Sequence, residues 1–140
     1  MGHEHSHIRW LQHRWNEEDA EHYEVERRAK QMFLEREATE IFTPIQNHLT
    51  RLDKVLRATG AAVEIDANWE HVDDQKLRRL ANVRSNKSGQ ELALELTIHG
   101  ATIFYREKPY RFIRGIEALI PVITSEVEQF LTSQTRPEHS

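Results

Sequence analysis

The chain has 140 residues, 38% of them hydrophobic and 30% charged, with no cysteine and a formal net charge of −4. That length suits one domain able to bury a core without staples, and the missing cysteines exclude disulfides, thiolate metal sites and cysteine nucleophiles. The acidic balance argues against attraction of the whole protein to nucleic acid or a membrane surface, and the longest apolar run, at 118–123, is far short of the roughly 20 residues that span a bilayer.

Residues 1–15 read as a mobile or swapped arm. Its His3, His5 and His7 are the one candidate metal set, since alternate imidazoles on an extended segment can point to one side. The plainer reading is a flexible leader, because a metal site that matters needs fixed ligands and a supporting shell. Ile8, Leu11 and Trp15 follow at i, i+3 and i+7, with Trp10 beside them. They suggest a short amphipathic helix whose tryptophans need cover on the chain's own core or on a second subunit. The first residues lack the basic and apolar regions of a secretory signal, so a cytoplasmic location is expected.

Residues 16–59 are rich in helix formers and contain no glycine. Asn16, followed by Glu17, Glu18 and Asp19, has the pattern of an N-cap with acids in the first turn. Glu24 with Arg28 and Glu26 with Lys30 are favourably oriented i,i+4 pairs. Farther on, Ala38, Phe42, Ile45, Leu49, Leu52 and Leu56 keep a 4-3-4-3-4 spacing, a heptad seam. Pro44 either kinks one helix or, as the second residue of Thr43-Pro44-Ile45-Gln46, opens a new one; the unbroken phase of the seam favours the single kinked helix. Such a seam is ordinarily the core face of a helix. Its sharper reading is a dimer, with Trp10, Trp15, Phe33 and Phe42 as subunit contacts. Glu17, Glu18, Glu21 and His22 lack the repeated Glu-x-x-His spacing of a di-metal bundle and read as a solvated face.

Gly60 stands where a C′ glycine ends a helix. Val63 and Ile65 alternate with Glu64 and Asp66 as a short strand over 62–66. Residues 68–75 read as a loop or short helical turn, 77–85 as a second strand, and Asn86-Lys87-Ser88-Gly89 as a turn. A four-residue loop there pairs Arg84 with Glu91, Val83 with Leu92 and Ala81 with Leu94. Over 91–99, Leu92, Leu94, Leu96 and Ile98 alternate with polar or small residues, the period of a half-buried antiparallel strand. Gly100-Ala101 as a two-residue type II′ turn then sets His99 against Thr102, Ile98 against Ile103, Leu96 against Tyr105 and Glu95 against Arg106. Lys108-Pro109 ends or bends that strand. Ile116, Leu119, Ile120, Ile123, Val127, Phe130 and Leu131 line one face of a last helix, with Pro121 kinking it or marking its first turn, before a polar tail at 135–140.

The five glycines never cluster into a phosphate cradle, and no nucleophile elbow, His-Glu-x-x-His or calcium loop is present. His48, His71 and His99 are isolated, His99 at its turn being the one of interest. The remaining feature is electrostatic. Between residues 76 and 114 stand Lys76, Arg78, Arg79, Arg84, Lys87, Arg106, Lys108, Arg111 and Arg114 against only Glu91, Glu95 and Glu107. Interleaved with aromatics, Arg78, Phe104, Arg106, Lys108, Tyr110 and Arg111 form a candidate surface for a partner or an anion. Cross-strand pairing and edge protection account for the same bases.

The expectation is therefore an α+β domain over 16–134. A long N-terminal helix and a C-terminal helix pack on one face of a three- to four-stranded antiparallel sheet. Its expected function is non-enzymatic, without cofactor, through protein–protein contacts as a homodimer. The alternative is nucleic-acid or anionic-ligand binding through 76–114. Element order alone carries no function.

Overall fold

The computed structural model describes the backbone of residues 2–135 and the side chains of residues 20–134. Helix α1 runs over Gly2–Arg57, followed by strands β1 (Ala61–Ile65), β2 (Glu70–His71), β3 (Lys76–Ser85), β4 (Glu91–His99), β5 (Thr102–Tyr105) and β6 (Lys108–Arg111), and then helix α2 (Arg114–Thr135). The class is α+β, as expected, but the strands number six rather than three or four. The chain divides into two compact units, Met1–Leu34 and Glu35–Ser140.

Helix α1 starts far ahead of Asn16, which lies inside it and not at its start. Pro44 is likewise interior, so the helix is one element and not two. A proline cannot donate to the carbonyl one turn back. That carbonyl belongs to Glu40, an exposed residue where water can serve instead. After Arg57 the chain turns through Thr59, whose N–H donates to the Leu56 carbonyl at 2.8 Å, and Gly60 takes φ 84°, the left-handed geometry that a C′ glycine supplies.

All strand pairs are antiparallel, in the order β1-β3-β4-β5-β6. Strand β2 pairs with β3 at Glu70–Arg78 and His71–Leu77, ahead of β1 on the same side of β3. The β3–β4 register is the one read from the sequence, with Arg84 opposite Glu91, Val83 opposite Leu92 and Ala81 opposite Leu94. Beyond the next turn His99 faces Thr102 and Ile98 faces Ile103, also as expected. Gly100 has φ 61° and Ala101 a negative φ, as a II′ turn requires.

The hairpin ends differently. Arg106 and Glu107 both have positive φ, 53° and 68°, and Tyr105 faces Lys108 across them. They form a two-residue turn of the I′ kind without the customary Asn-Gly. The sequence carried no turn signal there, so β6 went unanticipated, as did β2, whose two residues are too few for a period. Arg106 is consequently removed from Glu95 and does not form the expected cross-strand pair.

Leu77, Arg79, Ala81, Val83, Leu94, Leu96, Ile98, Ile103 and Tyr105 are buried on one face of the sheet. Against them pack Ala38, Phe42, Ile45 and Leu49 of α1 and Ile116, Leu119, Ile123 and Val127 of α2. Each fully buried Ile or Leu contributes about 1.5–3 kcal/mol relative to exposure. The two helices touch where His48 Nε2 lies 2.6 Å from Thr124 Oγ1. The Thr124 hydroxyl donates to the Ile120 carbonyl, so it accepts from His48, whose Nε2 carries the proton.

Candidate functional site: the open sheet face and the N-terminal helix

The second face of the sheet follows from strand alternation. Lys76, Arg78, Leu80, Asn82 and Arg84 of β3 point away from the helices, beside Glu91, Ala93, Glu95 and Thr97 of β4, Phe104 of β5 and Arg111 of β6. Within the unit Glu35–Ser140 no described element covers this face. Its polarity is organised by an ion ladder across three strands. Arg78 reaches Glu70 of β2 at 2.6 Å and Glu95 of β4 at 2.8 Å. Arg84 meets Glu91 at 2.6 Å. Hydrogen bonds to these carboxylates raise both guanidinium pKa values, keeping them charged. A groove of about 530 Å³ crosses the face beside the ladder, lined by Lys76, Glu95, Thr97, Phe104, Arg106 and Glu107.

The six residues of the expected partner surface do not all fall on one face, although Phe104 and Arg106 both line the groove. Arg78, Phe104 and Arg111 lie on the open face, Phe104 half-buried. Tyr110 pairs with Ile103 on the helix-covered side and is half-buried. Lys108, opposite Tyr105, is exposed at the sheet edge. Arg106 turns toward α2, where its guanidinium meets Glu126 at 3.0 Å and lies 5.3 Å from the Tyr105 ring centroid. The Tyr105 hydroxyl donates to the same carboxylate. Burial acts to raise the Glu126 pKa, and the bonds from Arg106 and Tyr105 outweigh it, leaving the carboxyl below its ordinary value. Burial, then Glu126, pushes the Tyr105 phenol well up. This triad anchors the β5–β6 turn to α2.

Arg79 also leaves the basic surface. It is 8% exposed on the covered face, its guanidinium 4.2 Å from the Trp69 ring centroid and 5.3 Å from that of Phe42, and it donates to the Ala67 carbonyl at 3.0 Å. Burial lowers its pKa, while Asp66 and Glu35 work the other way. Its Nε has no hydrogen-bond partner among the described residues; the two aromatic faces supply part of what a buried cation lacks. Strand parity carried this signal, because Arg79 falls in phase with Leu77 and Ala81. Of the nine bases, Arg78, Arg79, Arg84 and Arg106 are thus engaged within the fold. Lys76 lies near Asp73, whose pKa it helps to lower, and Lys87, Lys108, Arg111 and Arg114 form no ion pair among the described residues.

The subunit-contact residues separate as well. Phe42 is fully buried in the core, edge-on to Trp69 at 5.6 Å between centroids, and is not available to a second chain. Phe33 is open to solvent. Trp10 and Trp15, like His3, His5 and His7, belong to the backbone of α1, but their side chains lie outside the described residues. In the segment 20–34 of α1, Tyr23 is 65% exposed, Val25 66%, Met32 65% and Phe33 55%. Charged neighbours pair along the helix, His22 with Glu26 at 2.9 Å and Arg27 with Glu24 at 3.2 Å.

His99 meets Gln75 at 3.1 Å and takes no part in lining the groove. His71 lies 3.4 Å from Glu35. Among the described residues no group of three or more metal-ligating side chains converges, and no helix is long and apolar enough to cross a membrane. Fold and surfaces together define an α+β protein whose sheet, among the described residues of the unit Glu35–Ser140, is covered on one face only. Compared with known proteins, the chain matches no protein-family model, no curated protein and no solved structure.

Proposed function

We propose that this chain is a non-enzymatic cytoplasmic protein that works through protein–protein contacts as a homodimer, in an adaptor, chaperone-like or assembly role. The observation that carries the reading is the exposed apolar side chains on segment 20–34 of α1. Four large ones, Tyr23, Val25, Met32 and Phe33, are more than half open to solvent there. Scattered single apolar residues on a surface need no explanation, but Val25, Met32 and Phe33 fall within about 100° of one another around the helix, and a contiguous apolar patch marks a contact surface.

Binding of an anion has weaker support. Arg78 and Arg106, two of the residues it would use, already hold carboxylates, and the cations left over are dispersed around the sheet edge and its turns. Sedimentation equilibrium at micromolar concentration tests the homodimer directly, with twice the chain mass expected. A single-chain mass throughout that range overturns it. A gel shift with single-stranded oligonucleotide at low salt is expected to show no complex, and a salt-sensitive complex would move the conclusion to the anion reading.

A further inference from the structure

We infer that the free edge of β4 over residues 91–95 binds an extended segment of a partner protein by strand addition, with cationic side chains of that segment opposite Glu91 and Glu95. This surface lies apart in sequence from segment 20–34 of α1. The inference does not rest on the homodimer, which sedimentation tests separately.

Strand β4 is paired along its whole length with β3, but on its other side β5 meets only Thr97, Ile98 and His99. The chain then turns away at Arg106 and Glu107 into β6. Which backbone groups this leaves free follows from the hairpins. The Ser85 N–H donates to the Gln90 carbonyl at 3.0 Å, so the even-numbered residues of β4 bond to β3 and the odd-numbered ones face the other way. The N–H groups of Glu91, Ala93 and Glu95 and the carbonyls of Glu91 and Glu95 therefore point into the gap. None of them has a hydrogen-bond partner among the described residues. The Ala93 carbonyl has only the Arg106 guanidinium, at 3.4 Å. All three residues are exposed. A row of free donors and acceptors at strand spacing is matched by another extended backbone. The outer edges of the sheet are less receptive, since Asp53 takes the Val63 N–H of β1 and β6 contains Pro109, which has no N–H.

Charge selects the occupant. Side chains of an added strand that bonds to Glu91, Ala93 and Glu95 lie beside theirs, on the uncovered sheet face. There Arg84 takes only Oε1 of Glu91 and Arg78 only Oε1 of Glu95, so each carboxylate keeps Oε2 for a second cation. Glu95 also lines the groove together with Glu107; of the bases in that groove, Lys76 lies near Asp73 and Arg106 is held by Glu126. A second copy of β4 is a poor match. Antiparallel pairing about a two-fold axis at Ala93 sets Glu91 against Glu95 twice, like charges directly opposite. A register moved by two residues pairs Ala93 with one glutamate and leaves the other without a strand partner, because Thr97 is already paired with Phe104 and Gly89 lies in the β3–β4 loop.

The probe is the peptide acetyl-Thr-Lys-Val-Thr-Val-Lys-Thr-amide, which reads the same in both directions and so serves either strand orientation. Titrated into the isotope-labelled full chain and followed by amide NMR, it is expected to shift the Glu91, Ala93 and Glu95 signals saturably. N-methylation at the two lysines and the central threonine, whose N–H groups would face β4, is expected to weaken binding by about tenfold or more. N-methylation at the two valines, whose N–H groups would face away, is expected to change it by less than about threefold. Glutamate in place of both lysines is expected to weaken it by about fivefold or more. Equal effects of the two methylation patterns would overturn strand addition, and a glutamate peptide that binds as tightly would overturn the cationic occupant. Absence of any saturable shift, or shifts confined to residues 20–34, would overturn the site. Shifts at residues 91–95 that grow with protein concentration in the absence of peptide would make a second copy the occupant and overturn the inference.

Discussion

Gly115 shows how narrowly one position can be specified. A Cβ built there would stand 2.6 Å from the Tyr110 carbonyl carbon and 2.9 Å from its Cα. The first turn of α2 therefore lies against the backbone of β6, leaving no room for a methyl group. Gly115→Ala is expected to destabilise the fold by about 1–3 kcal/mol, because backbone must shift to relieve the overlap. Urea unfolding of the variant beside the unaltered chain measures it. Gly60 and Gly100 differ in kind, since nothing lies near their missing side chains and only the sign of φ restricts them.

His48 makes a pH-dependent link between the two helices. Burial, reinforced by Arg51, lowers its pKa below the usual 6.5. The folded state thus holds the proton less tightly than the unfolded chain. The stability this contributes is complete above pH 6.5 and is lost as pH falls through the folded value. A lower urea midpoint at pH 5.5 than at pH 7.5 is expected, and His48→Gln should shrink that difference; an unchanged difference would assign the effect elsewhere. Asp53 works in the same direction at lower pH. Its carboxylate accepts the Val63 N–H at 2.8 Å and the Arg57 Nε–H at 2.8 Å, and these bonds hold its pKa below the ordinary range. The Val63 bond also occupies a donor on the edge strand β1, which blunts that edge against pairing with another chain.

Among the elements, the β5–β6 turn carries the clearest strain. Left-handed backbone at Arg106 and Glu107 costs about 1–2 kcal/mol at each residue relative to a residue that tolerates it. Arg106 is held by Glu126, whereas Glu107 has no acidic or basic partner among the described residues. Glu107→Gly is accordingly expected to stabilise the protein by about 0.5–1 kcal/mol net of glycine's chain entropy, read as a higher urea midpoint. The same turn explains why one strand was foreseen where two exist. Hairpin turns are recognised by Gly, Asn or Asp, and Tyr-Arg-Glu-Lys contains none of them. The turns at Gly100 and Gly89 carry the expected residue, and the registers counted from them agree with the structure.

Across the whole molecule, the buried apolar residues are placed unevenly. Among the described side chains, every buried one lies between Ala38 and Val127, within the unit Glu35–Ser140. A chain beginning at residue 35 is therefore expected to unfold in urea with a midpoint close to that of the full chain and to sediment as a monomer. Loss of cooperative unfolding in the fragment would show that the first unit contributes to the core after all. Helix α1 thus spans two physical regimes. Its second half is held by burial against the sheet, and its segment 20–34 presents apolar and charged groups to solvent.

The sequence by itself determined the α+β class, the heptad seam of α1, both central hairpin registers and the ends of β4. All of these rest on local periodicity and on turn residues with φ above zero, which neighbours along the chain dictate. Only the tertiary structure decided that Phe42 belongs to the core and not to a subunit contact. It also placed Arg79 against two aromatic rings, took Arg106 away from Glu95 to Glu126, and left one sheet face uncovered within the unit Glu35–Ser140. Those outcomes depend on which groups meet across the fold, as Arg106 and Glu126 do over 20 residues of sequence, and a one-dimensional pattern does not contain that pairing. The basic region was legible as composition, but its consequence was not, since charge counts along the chain do not tell which carboxylate each cation meets.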